Sequence, residues 1–95
     1  MPEKLTLNDG TVLENASAIR SGVNLFAYVY GSDLRTVFDL LIEKENTKRI
    51  VYTQNNGEDV VFYGYDRLIA VRDEGNGLVT AVLEREVGTD VFGGS

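Results

Sequence analysis

Val60–Val71 reads VVFYGYDRLIAV, aliphatic and aromatic residues broken by Gly64. Two readings compete: an aromatic platform that stacks a ligand, or sheet structure whose faces are covered. A hairpin ahead of this stretch and another behind it leave a strand from about Glu58 to Asp73. That exceeds the usual strand length. Glycine inside a strand marks a bulge or a corner, so Gly64 is read as a bend. The stretch is therefore expected to be one bent strand, or two, with its aromatic rings packed.

The flanking hairpins rest on turn chemistry. Upstream, KRIVYTQNNGEDVVFYG turns at Asn56-Gly57. A two-residue loop there pairs Tyr52 with Val61 and Val51 with Phe62. Downstream, DRLIAVRDEGNGLVTAVLEREV turns around Gly75-Asn76, pairing Val71 with Thr80 and Ile69 with Val82. A third hairpin opens the chain in KLTLNDGTVLEN. A two-residue Asp9-Gly10 loop pairs Leu7 with Val12 and Thr6 with Leu13, and sets Glu14 opposite Leu5, an ill-matched pair. The three turns share chemistry and not a true repeat.

NASAIRSG then leads to VNLFAYVYG, with Val23, Leu25, Ala27 and Val29 on one face and Phe26, Tyr28 and Tyr30 on the other. Apolar residues on both faces predict a central or doubly covered strand. SDLRTVFDLLIEKEN is the one convincing helix. Ser32 or Asp33 caps it, Leu34, Val37, Phe38, Leu41 and Ile42 form its apolar stripe, and Asn46 stops it. The expected class is α+β, in the order β-β-β-α-β-β-β. An antiparallel-rich, bent sheet or partly open barrel packs on one helix. A five-stranded OB-type barrel has a similar order and is the topological alternative. Residues 1–87 are expected to form a single domain and 88–95 a glycine-rich tail.

Composition removes several chemistries. The 95 residues contain neither cysteine nor histidine, so thiolate chemistry and the usual base near neutral pH are unavailable. The net charge of −6 repels phosphate backbones, and nucleic acid is not an expected partner. No run approaches the roughly 20 apolar residues that span a bilayer. MPEKLTLNDG lacks the apolar core of a signal peptide, which points to a cytoplasmic chain.

Asp39 and Glu43 lie four apart, as on a solvated helix face. Glu58-Asp59 and Asp73-Glu74 flank turns, where acids are common. DEGNG lacks the spaced ligands of a calcium loop, and its GNG leads into a strand instead of a phosphate-binding helix. Lys44, Lys48 and Arg49 suit a helix C-terminus. No catalytic residue, metal or cofactor is expected. The candidate interaction surface is Tyr28, Tyr30, Tyr52, Tyr63 and Tyr65, with Val91 and Phe92 of the tail.

LTLNDGTVLE at the start and ENTKRIVYTQNNGEDVVFYGYDRLIAV after the helix resemble small proteins encoded in the tail-gene region of phages and prophages of Gram-positive bacteria. The resemblance covers most of residues 4–85 and rests on turns and hydrophobic spacing. It implies a non-enzymatic structural component, in the virion or its assembly, that oligomerises or docks on a protein. The alternative is an OB-like module for a small ligand or single-stranded nucleic acid.

Overall fold

The structure, a computed structural model, describes residues 2–85. The chain is α+β, with two four-stranded antiparallel sheets and two short helices. Strands β1 (Lys4–Thr6), β2 (Val12–Glu14), β3 (Ala16–Ser21) and β4 (Asn24–Tyr30) come first. Helices α1 (Leu34–Leu41) and α2 (Lys44–Thr47) follow, then β5 (Arg49–Thr53), β6 (Asp59–Tyr63), β7 (Arg67–Gly75) and β8 (Leu78–Glu84). One sheet has the order β2-β1-β5-β6 and the other β3-β4-β8-β7. The sheets do not close into a barrel, which corrects the OB-type alternative.

The two sheets bury their facing sides against each other. Leu5, Leu13 and Ile50 come from the first; Leu25, Ala27, Val29, Val79, Ala81 and Leu83 come from the second. Across the second sheet, Ala18 pairs with Ala27, Ala27 with Ala81, and Ala81 with Val71. This row of short side chains leaves room for the larger residues opposite, as dense packing requires. Leu25 and Leu83 pair in the adjacent row, and both are fully buried.

The first two hairpins differ from expectation by one residue. Leu5 pairs with Leu13 and Thr6 with Val12; Val51 pairs with Val61 and Tyr52 with Val60. Both loops have three residues, not two. The Leu7 N–H bonds the Thr11 carbonyl and Gln54 N–H the Glu58 carbonyl, each at 2.8 Å. The last loop residue, Gly10 or Gly57, has φ of +94° or +89°. This is a type I turn closed by a left-handed glycine. An Asx contact repeats in both: Asp9 Oδ1 accepts from Thr11 N–H and Asn56 Oδ1 from Glu58 N–H, each at 2.9 Å. Because a one-residue slip exchanges sheet faces, the correction puts Leu13, not Glu14, across from Leu5. Replacing Gly57 with valine is expected to cost about 1–3 kcal/mol through the forced left-handed backbone. A thermal melt matching the wild type would contradict this turn.

The third hairpin does have a two-residue loop, but at Asn76-Gly77, with φ of +55° and +79°. Val71 therefore pairs with Ala81, and Arg72 with Thr80. Register shifts between Leu68 and Ala70, and between Asp73 and Gly75, leave Ile69 and Glu74 as extra residues in β7.

Further expectations are corrected. Ala16–Ser21, read only as a connection, is a strand that pairs along the whole of β4. The single helix is two, α1 and α2, broken at extended Glu43. Asn46 does not end a long helix but is buried in α2, where its Nδ2 donates to the Leu40 carbonyl at 2.9 Å and its own carbonyl accepts from Asn8 N–H. Asp33 caps α1 by accepting from Thr36 N–H at 2.8 Å, which holds its carboxyl below the usual range. Of the expected stripe, Val37 and Leu41 are buried, while Phe38 and Ile42 are exposed. β4 is central, between β3 and β8, but only its Leu25–Ala27–Val29 face is buried; Val23 and Tyr30 are exposed.

The stretch around Gly64 is two strands in different sheets, β6 and β7. Gly64 has φ of +81°, and its N–H bonds the Lys48 carbonyl at 3.0 Å. The expectation that both faces are covered fails in β6, where Val60, Val61 and Tyr63 are exposed.

Candidate interaction site

The five tyrosines do not make one platform. Tyr65 is buried (2% exposed), Tyr63 is largely exposed (61%) and Tyr30 is exposed on β4. The proposed surface therefore loses Tyr65, whose ring packs edge-on to Phe62 at 6.1 Å between centroids. The Arg85 guanidinium sits 5.6 Å from the Tyr65 ring centre, a cation–π contact. Val91 and Phe92 lie outside the described residues.

Tyr28 and Tyr52 both line a cleft of about 890 Å³. Consecutive residues Ser17, Ala18, Ile19 and Arg20 of β3 form one wall; Val60, Val61 and Phe62 of β6 form another, and Gln54 completes the lining. Both walls are outer strands of their sheets. Residues that run consecutively along a wall present a strand's backbone edge, since side chains alternate between faces. On the other side Tyr52 and Gln54 join Val60 and Phe62 on one face of β5–β6, so the cleft lies between the edge of β3 and that face.

Hydrogen-bond parity shows which backbone groups point out. Gln54 N–H bonds the Glu58 carbonyl and Gly64 N–H the Lys48 carbonyl, so even-numbered β6 residues face β5. Alternation then directs the N–H and C=O of Asp59, Val61 and Tyr63 away from β5. On β3, Ala16 N–H bonds the Glu3 carbonyl at 3.2 Å, away from β4. Ala18 and Arg20 share that direction.

Arg20 is the one charged side chain lining the cleft among the described residues. Tyr52 donates its hydroxyl to the Glu3 carboxylate. That bond, with burial and the carboxylate charge, pushes the Tyr52 phenol up to about 12. The fold favours the neutral phenol, so this stabilisation is present below the ordinary value of 10 and is lost as pH rises through about 12. Subtracting the phenolate absorbance titration of Tyr52→Phe should isolate this late transition, and Glu3→Gln should move it earlier. An unshifted transition in Glu3→Gln would contradict the contact.

The other candidates resolve into local structure. Asp39 pairs with Arg35 at 3.3 Å on exposed α1, and Lys48 pairs with Glu45 at 2.8 Å. Asp73 Oδ1 accepts from Gly75 N–H, and Glu74 accepts from the Thr80 hydroxyl. Among the described residues, no group of three or more acidic side chains is placed to hold a metal ion. No described helix is long and apolar enough to cross a membrane.

Sequence reading missed the cleft because β3 was not recognised as a strand. The alternation Ala16, Ala18 against Ser17, Ile19 was the available signal. No protein-family model, curated protein or solved structure matches the chain.

Proposed function

We propose that the protein is a non-enzymatic docking module, acting through sheet edges, and that it serves as a structural or assembly component of a phage or prophage tail. One observation carries the docking reading: β3 and β6, outer strands of the two sheets, border one open cleft that Tyr28, Tyr52, Val60 and Phe62 line. Exposed strand edges are templates for pairing with another chain. The phage setting is supported by the resemblance of LTLNDGTVLE and the segment from Glu45 to Val71.

A small-ligand or single-stranded nucleic-acid module would use the same Tyr28, Tyr52 and Phe62. Single-strand binders track phosphates with a basic groove, whereas Arg20 is the one basic residue lining this cleft. The charge balance favours protein.

Sedimentation velocity tests the proposal, with the chain alone and mixed with each protein encoded by its neighbouring genes. The expected result is a defined complex with at least one of them, or self-association. A strict monomer in every mixture would overturn it.

A further inference from the structure

Each sheet turns one side to the core and one side outward. The outward side of β3-β4-β8-β7 carries an unbroken apolar row, in which Ile19, Phe26, Val82 and Ala70 pair in turn across all four strands. None of the four is buried, and Ile19 is 59% exposed. The charges at this face cancel locally: Arg67 pairs with Glu84 at 3.3 Å and Arg72 with Glu74 at 3.7 Å. The net charge of −6 therefore lies elsewhere on the chain. The outward side of the other sheet offers less. Its row is Val12, Thr6, Val51 and Val61, which includes a hydroxyl, and Val51 is already buried.

We propose that this face binds a second copy of the chain, about a twofold axis that lies in the interface and runs along the strands. The inference goes beyond the docking reading, which concerns strand edges and the cleft. Ser17, Ile19 and Tyr28 belong to both surfaces, while the β6 margin is on the other sheet and stays free in the dimer. Such an axis exchanges strands and keeps rows, so β3 lies over the partner's β7 and β4 over its β8. Ile19 then meets the partner's Ala70, and Phe26 the partner's Val82, large against small as dense packing requires. Arg67 meets the partner's Ser21 and Arg72 the partner's Ser17. Glu84 meets the partner's Asn24, whose amide donates to it. No like charges face each other, whereas an axis across the strands through the same row would set Arg67 over the partner's Arg72. Two stacked sheets also favour strands aligned within about 30°. Copies of one sign approach best at a face whose own charges cancel. Four strands about 4.8 Å apart, each giving six residues of about 3.3 Å, project to roughly 400 Å². Standard interfaces bury roughly 800 Å² per partner, so the dimer is a weak one, in the micromolar range.

Sedimentation velocity of the full chain, from roughly 10 µM to 1 mM, should show monomer passing into dimer and no larger species, because a twofold contact closes on itself. Ile19→Asp sets a carboxylate in the apolar row and should weaken the dimer at least about tenfold. Ile19 is largely exposed on an outer strand, so this variant should melt like the wild type. Val61→Asp, on the outward side of the other sheet, should leave the dimer unchanged. The chain has no cysteine, so thiols can be placed singly. A bismaleimide of about 8 Å should join Ile19→Cys to Ala70→Cys in a mixture, across the spacing of two stacked sheets. It should join neither variant to itself, since each residue and its own symmetry mate lie three strand spacings apart. This pattern decides the matter if Ile19→Asp does not fold.

A strict monomer at about 1 mM, a dimer undiminished by Ile19→Asp, or one abolished by Val61→Asp would overturn the proposal. So would Ile19→Cys joined to itself. A chain that stays monomeric alone and still forms a complex with a neighbouring gene product would refute this face and leave the docking function standing.

Discussion

Tyr65→Ala is expected to destabilise the fold by about 3–5 kcal/mol, and Tyr65→Phe to stabilise it by about 1 kcal/mol. The ring is buried at the β6–β7 junction, edge-on to Phe62 and under the Arg85 guanidinium. Alanine removes these contacts and leaves a cavity. The Tyr65 hydroxyl is buried without a hydrogen-bond partner among the described residues. Phenylalanine keeps the ring contacts and relieves the cost of that unpaired group. Urea denaturation of both variants measures the difference. Loss of stability in Tyr65→Phe would mean that the hydroxyl is bonded.

Leu83→Ala is expected to cost about 2–5 kcal/mol, and Val82→Ala below about 1.5 kcal/mol. Leu83 is fully buried between Leu25 on β4 and Leu68 on β7, facing the other sheet. Val82, one residue away, points to the opposite face and is half-buried beside Phe26 and Ala70. A register wrong by one residue would reverse the order of the two losses. Denaturation midpoints of the pair therefore check the alignment of the whole β3-β4-β8-β7 sheet.

Turn chemistry was legible in the sequence, and the length of each turn was not. NDG and NNG announce reversals, but whether a loop holds two residues or three depends on strand register. Leu5 opposite Glu14 was a mismatch, but it was read as a frayed, bulged or edge-lying end and not as a wrong register. Gly64 was legible as a break, because no covered strand runs through a left-handed residue without consequence. The helix stripe was legible only in part. Val37 and Leu41 meet the core, while Phe38 and Ile42 do not, since a short helix at a sheet margin buries a narrow face. β3 was hidden because ASAIRS is small and polar, with alanines packing where aliphatic residues were sought. Its absence concealed the cleft, which neither of its walls defines alone. Tyr28 and Tyr52, suspected of sharing a surface, both line the cleft, whereas Tyr65, identical in type, serves the interior.

The central claim is that the β6 margin is open and available for pairing. Native-state amide hydrogen exchange in the dilute, unliganded chain tests it residue by residue. Val60 and Phe62, bonded to β5, should exchange slowly, while Val61 and Tyr63 between and beside them exchange fast. Uniform protection along β6 would show that the margin is already occupied, and would contradict the account.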